Sequence, residues 1–107
     1  MIDEKVNRII NEIRDELKSL YPDFRGIYLF GSHARGDAND DSDIDLAIIF
    51  DRVIDWKFKD DVRDLIIEKE IFYGVIIDSH FYRAQNLIDP ETPLREHIKI
   101  EGIFHES

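Results

Sequence analysis

Two aspartates one residue apart, Asp43 and Asp45, open an apolar run that continues to Phe50. On extended backbone the side chains alternate, so this pair projects from one face. Two such carboxylates can hold one Mg2+ or bridge two ions about 3.5–4 Å apart, as phosphoryl and nucleotidyl transfer require. A bare D-x-D also describes an ordinary solvated strand entrance. The residues upstream favour the first reading. Gly31-Ser32 closes an earlier apolar run; glycine lets a phosphate approach the backbone, and the Ser32 hydroxyl and nearby N–H groups can donate to it. Five aspartates (Asp37, Asp40, Asp41, Asp43 and Asp45) crowd into nine residues, and a bound cation is the simplest way to offset their repulsion.

A two-metal site needs a third acid. Asp78 sits inside the apolar run 75–81, where an unpaired charge is expensive, so an ion or cationic partner is expected beside it. An Asp on a strand edge facing solvent is the competing reading. By parity Ile76, Asp78 and His80 share a face, which places His80 at the cleft or in an ordinary hydrogen bond. Two familiar motifs nearly fit and fail. Gly31-x-x-x-x-Gly36 has P-loop spacing, but Asp37-Ala38 replaces the required Lys-Ser/Thr. The acids 37–45 alternate like a calcium loop, but Ser42 and Ile48 occupy its Gly and Glu positions and a strand follows.

The elements that must position these residues are legible from periodicity. Val6, Ile9, Ile13, Leu17 and Leu20 form one helical stripe over residues 3–20, with Asp3 and Glu4 at the positive end of the dipole. Tyr21-Pro22-Asp23 stops it, and Ile27-Tyr28-Leu29-Phe30 predicts a buried strand. The polar segment after Gly31 holds a short helix, and Ile44 to Phe50 forms the second strand. Phe58, Val62, Leu65 and Phe72 predict a helix from about Asp55 to Phe72. Val75 to Tyr82 reads as a third strand. Thr92-Pro93 is a helix start, with that helix running through Leu94, Ile98 and Ile100 to Gly102. The alternation predicts an α/β (α+β) fold, a small mixed sheet with helices packed on it.

The 107 residues suit one domain spanning 1–107, and 43% apolar content supports a core. There is no cysteine, which removes disulfides and thiolate chemistry. No signal-like start or long apolar run is present, so a soluble cytoplasmic protein is expected, with no membrane partner. A net charge of −10 argues against direct binding to nucleic-acid backbones.

Gly31-Ser32, ten intervening residues and Asp43-Ile44-Asp45 together resemble the signature of the DNA polymerase β-like nucleotidyltransferase superfamily. Gly31 to Ala38, Ser42 to Leu46 and the ending Ile98 to Gly102 are similar to the minimal nucleotidyltransferases, the MntA-type proteins. The resemblance implies a nucleotidyltransferase fold. It implies that Asp43, Asp45 and Asp78 bind two Mg2+ ions, and that Gly31, Ser32 and Arg35 meet the triphosphate of ATP. A solvated surface arginine is the alternative for Arg35. His33 stands where related sequences often carry arginine.

It further implies transfer of AMP from ATP to an acceptor hydroxyl. Such proteins are paired with a small HEPT-type ribonuclease toxin and act as antitoxins by adenylylating one of its tyrosines. Two other readings remain: a module that neutralises its partner by occlusion, and a nucleotidyltransferase acting on a small molecule. The chain is too short to hold a separate acceptor domain, so a partner or an oligomer must supply the acceptor, and homo- or hetero-oligomerisation stays open.

Overall fold

The computed structural model describes residues 3–39, 41–88, 95–96, 98 and 102–106. Helix α1 spans Glu4–Leu20, and the Asp3 carboxylate caps it by accepting from the Lys5 and Val6 N–H groups. Such a cap is worth about 1 kcal/mol. Its buried stripe is Val6, Ile9, Ile10, Ile13 and Leu17, while Leu20 lies outside the stripe and is exposed. Strand β1 runs from Phe24 to Phe30, the short helix α2 covers Ser32–Arg35, and β2 runs from Ile44 to Phe50. Helix α3 spans Trp56–Tyr73, capped by the Asp55 side chain and ended by Gly74 in the left-handed region at φ 65°. Strand β3 (Ile77–Arg83), helix α4 (Ala84–Ile88) and strand β4 (Ile103–Glu106) follow.

The four strands form one mixed sheet in the order β3-β2-β1-β4. Strand β1 is antiparallel to β2 and β4, and β2 is parallel to β3. One face carries Ile27, Leu29, Leu46, Ile48 and Phe50 into a core shared with the buried stripes of α1 and α3. Lys69 of α3 donates to Glu12 and Glu16 of α1 at 3.3 and 2.9 Å, tying the two helices together. The other face carries Phe30, Ala47 and Ile49 against Leu87 and Ile98. Core burial of this kind contributes about 25 cal/mol per Å2 of apolar surface.

The mixed α+β architecture matches the expectation, and four details differ. The third strand starts at Ile77, not Val75, because Glu70 draws the preceding turn back onto α3. Its carbonyl accepts from Gly74 and Val75, and its carboxylate from Ile77 N–H. The buried stripe of α3 is Phe58, Val62 and Ile66, whereas Phe72 faces solvent. Helix α4 and strand β4 were not anticipated; β4 is short and depends on pairing with distant β1. Of the expected last helix, Arg95, Glu96 and Ile98 are helical, while Thr92, Pro93, Leu94 and Ile100 lie outside the described residues. No helix among the described residues is long and apolar enough to cross a membrane.

Candidate active site

Strand directions bring three chain segments to one end of the sheet. Strand β1 finishes at Phe30, opposite Asp45 near the start of antiparallel β2. Parallel β3 starts beside β2, with Asp45 opposite Asp78. Residues directly opposite on paired strands point to the same side, so Asp45 and Asp78 share the face of Phe30. Asp43 stands immediately before β2, near enough for its charge to act on Asp45.

The electrostatics follow from this crowding. Burial first, then the charges of Asp78 and Asp43, push the Asp45 carboxyl above its usual value, and His80 and His33 oppose them only in part. Asp43 is exposed and Asp45 half-buried. The Asp78 side chain is 56% exposed, with His80 Nε2 3.2 Å from its Oδ2. Asp78 is therefore not the buried charge expected from the apolar run around it. It opens an edge strand and meets water, and its relation to Asp45 comes from register. Among the described residues no trio of carboxylate and imidazole groups closes into a ready-made ion cage. Mg2+ does not require one, since it is commonly held by one or two carboxylates together with substrate phosphates.

The loop between β1 and β2 is built to hold these acids in place. Gly31 adopts φ 74° and ψ −154°, a region essentially restricted to glycine. A Cβ there would also collide with Asp45 Oδ2. Glycine is needed at this point for its backbone angles and for its lack of a side chain. Helix α2 begins at Ser32, whose carbonyl accepts from Gly36 and Asp37 N–H at 3.0 and 3.1 Å. Arg35 Nε donates to Asp37 Oδ2 at 3.3 Å in an exposed ion pair.

Two positioning groups escaped the sequence reading. His33 Nε2 lies 3.2 Å from the Ser42 carbonyl, pinning α2 to the entrance of β2. Asn39 organises the same entrance: its Oδ1 accepts from Asp41 N–H at 2.9 Å, and its N–H donates to Ser42 Oγ at 3.0 Å. The Asn39-x-x-Ser42 spacing is turn chemistry that could have been recognised. A cavity of about 380 Å3 lies behind this loop, lined by Val6, His33, Asn39, Ser42, Ile44 and Val75. None of the three acids, nor Ser32, lines it. The acids lie instead on the open surface at the sheet end.

The chain is similar to several known proteins. A protein of Methanocaldococcus jannaschii, provisionally named a protein adenylyltransferase, is 40% identical over 73 residues, covering 67% of this chain and 68% of that one. A crystal structure of a toxin–antitoxin with AMP-PNP superposes with a TM-score of 0.65 at 23% identity, covering 88% of this chain and 69% of that one. The MntA-HepT toxin–antitoxin structure gives 0.60 at 20% identity, covering 92% and 69%. At these identities the two structures establish the nucleotidyltransferase fold. A family model described as the nucleotidyltransferase domain matches residues 10–105, nearly the whole of the sheet and its helices, and the chain belongs to that family.

Proposed function

We propose that this protein transfers AMP from ATP to a tyrosine hydroxyl of a HEPT-type ribonuclease toxin and so acts as its antitoxin. The observation that carries the reading is the placement of half-buried Asp45 opposite Asp78 in register, with its carboxyl pushed up by burial first and then by the charges of Asp78 and Asp43. Binding alone gives no reason to gather three like charges; bound divalent cations do. The M. jannaschii relative named a protein adenylyltransferase supports the reaction class. The toxin–antitoxin structures, one of them with AMP-PNP, support the partner and the nucleotide.

In this reading Asp43, Asp45 and Asp78 would hold two Mg2+ ions together with the substrate phosphates. The ions supply charge neutralisation along the triphosphate and a lowered pKa for the acceptor hydroxyl. The rest is done by the chain itself. Gly31 leaves the space that the Asp45 carboxylate occupies beside the backbone, and Ser32 donates to the phosphates. Arg35 turns from Asp37 to a phosphate, and the exposed pair it gives up is worth at most about 1 kcal/mol. Asp78, steadied by His80, assists removal of the acceptor proton or binds the acceptor-side ion. In-line attack of the tyrosine oxygen on the α-phosphorus, which breaks the bond to the β-phosphate and releases pyrophosphate, then needs mainly positioning.

The test is label transfer from α-labelled ATP to the HEPT-type protein. Asp43→Ala with Asp45→Ala should abolish transfer without unfolding the protein. Transfer retained by that variant would remove the metal role. If it transfers nothing yet still neutralises the toxin at equal stoichiometry, occlusion is the mechanism.

A further inference from the structure

We infer that the outward face of α3 is the docking surface for a basic protein partner, recognised by apolar contacts flanking an acidic centre. Helix α3 has two apolar faces, which an ordinary surface helix does not have. Phe58, Val62 and Ile66 are buried in the core. On the opposite side, at helical spacing, lie Trp56, Asp60, Asp64, Ile67 and Ile71. Trp56 is 75% exposed, Ile67 47% and Ile71 78%, and Phe72 beside them is 79% exposed. Asp61 and Glu68 flank the stripe and are exposed as well. Lys57 in the first turn is a nearby base, as is Arg63, whose guanidinium lies 5.5 Å from the Phe81 ring centroid. The face is thus apolar at both ends and acidic between, over about 22 Å of helix.

Charge decides what can cover it. A second copy of this chain, packed antiparallel with the two acidic centres in register, would set Asp60 against Asp64 of that copy and Asp64 against its Asp60, in a protein of net charge −10. Like charges juxtaposed across an interface cost several kcal/mol. A partner carrying lysine or arginine between two apolar groups meets no such penalty. An exposed aromatic with aliphatic neighbours is the type of anchor that dominates interface energetics. The position is also apt. The chain leaves α3 through Gly74 and exposed Ile76, whose carbonyl accepts from Ile44 N–H at 2.9 Å, and enters β3 at Asp78. A partner on the last turns of α3 therefore reaches the end of the sheet that carries the acids, from the face opposite theirs. This inference rests on the proposed reading in taking the acceptor to be a protein.

The experiment measures binding of the full chain to the HEPT-type protein by titration calorimetry, with label transfer recorded separately. Ile67→Ser with Ile71→Ser, and Asp60→Lys with Asp64→Lys, alter only exposed side chains, so the fold and the thermal shift with Mg2+ and ATP should be unchanged. Each pair should weaken binding at least tenfold, and the wild-type affinity should fall as salt rises. Asp43→Ala with Asp45→Ala should bind as wild type does. Loss of binding in the α3 variants without any transfer by the wild type sustains the docking face and removes the catalytic reading. Unchanged affinity in both α3 variants overturns the docking face, as does no binding by the wild type. Wild-type dimers in sedimentation that the α3 variants dissolve overturn it too, by showing a second copy on this surface.

Discussion

Replacing Gly31 with alanine should destabilise the protein through Asp45, and the size of the effect follows from two separate observations. At φ 74° and ψ −154° an alanine incurs backbone strain of about 1–3 kcal/mol. Its Cβ meets Asp45 Oδ2 in collision and stands 3.0 Å from Cγ, so the aspartate must move, an overpacking term of about 1–3 kcal/mol. Together these give roughly 2–6 kcal/mol, a large part of the ~5–15 kcal/mol that holds a typical domain. The terms can be separated. Asp45→Ala removes Oδ2 and Cγ but leaves the backbone at Gly31 untouched, so the double variant should regain about 1–3 kcal/mol of the loss. Urea unfolding of the wild type, both single variants and the double variant measures this coupling directly. Additivity within about 0.5 kcal/mol would refute the contact between Gly31 and Asp45. A cost below about 1 kcal/mol for Gly31→Ala would refute the backbone conformation itself.

Asp45→Asn should raise the melting temperature in metal-free buffer at pH 7. The carboxyl is pushed up in the folded protein, so its stabilising contribution is complete below its usual value of 3.8 and is lost as pH rises through the folded value. The advantage of the variant should therefore shrink toward pH 4, and a lowered melting temperature at pH 7 would contradict the assignment. Mg2+ with ATP at about a hundred times its Kd should add ~2.7 kcal/mol, roughly 10 °C in melting temperature. Asp43→Ala with Asp45→Ala should erase that shift, and scanning calorimetry reads both. Arg52→Met breaks the bidentate pair with Asp23 and removes the guanidinium 4.1 Å from the Phe58 ring centroid, which should cost about 1–3 kcal/mol in urea unfolding. Arg52 holds the Asp23 carboxyl below its usual value, so this cost should be present above pH 4 and fade as pH falls through the lowered value. His33→Ala should leave the fold intact but weaken nucleotide binding by freeing α2 from the Ser42 carbonyl, read as a smaller thermal shift.

The features legible in the chain were those set within a few residues of one another. Asp3 and Asp55 cap helices because a side-chain oxygen reaches amides two or three residues on, and Gly74 ends one because it tolerates positive φ. The Gly31-Ser32 and Asp43-x-Asp45 segments read correctly as strand–loop–strand for the same reason, since alternation and turn chemistry are local. Periodicity could not choose between the two apolar sides of α3. Phe72 looked like core because it falls near the helical repeat, yet Ile66 is buried in its place. Only the neighbouring sheet and α1 decide which side of a helix is covered.

By itself the amino-acid order determined α1, α2 and α3, three of the strands and the acid-bearing loop, because each is specified by propensities and contacts short in sequence. It could not determine that Asp78 stands opposite Asp45, which depends on the register of two parallel strands separated by all of α3. Nor could it place β4 against β1, a pairing between the two ends of the chain. Those placements come from the packing of one sheet between two apolar layers, where shifting a strand by one residue would turn its buried side chains toward water.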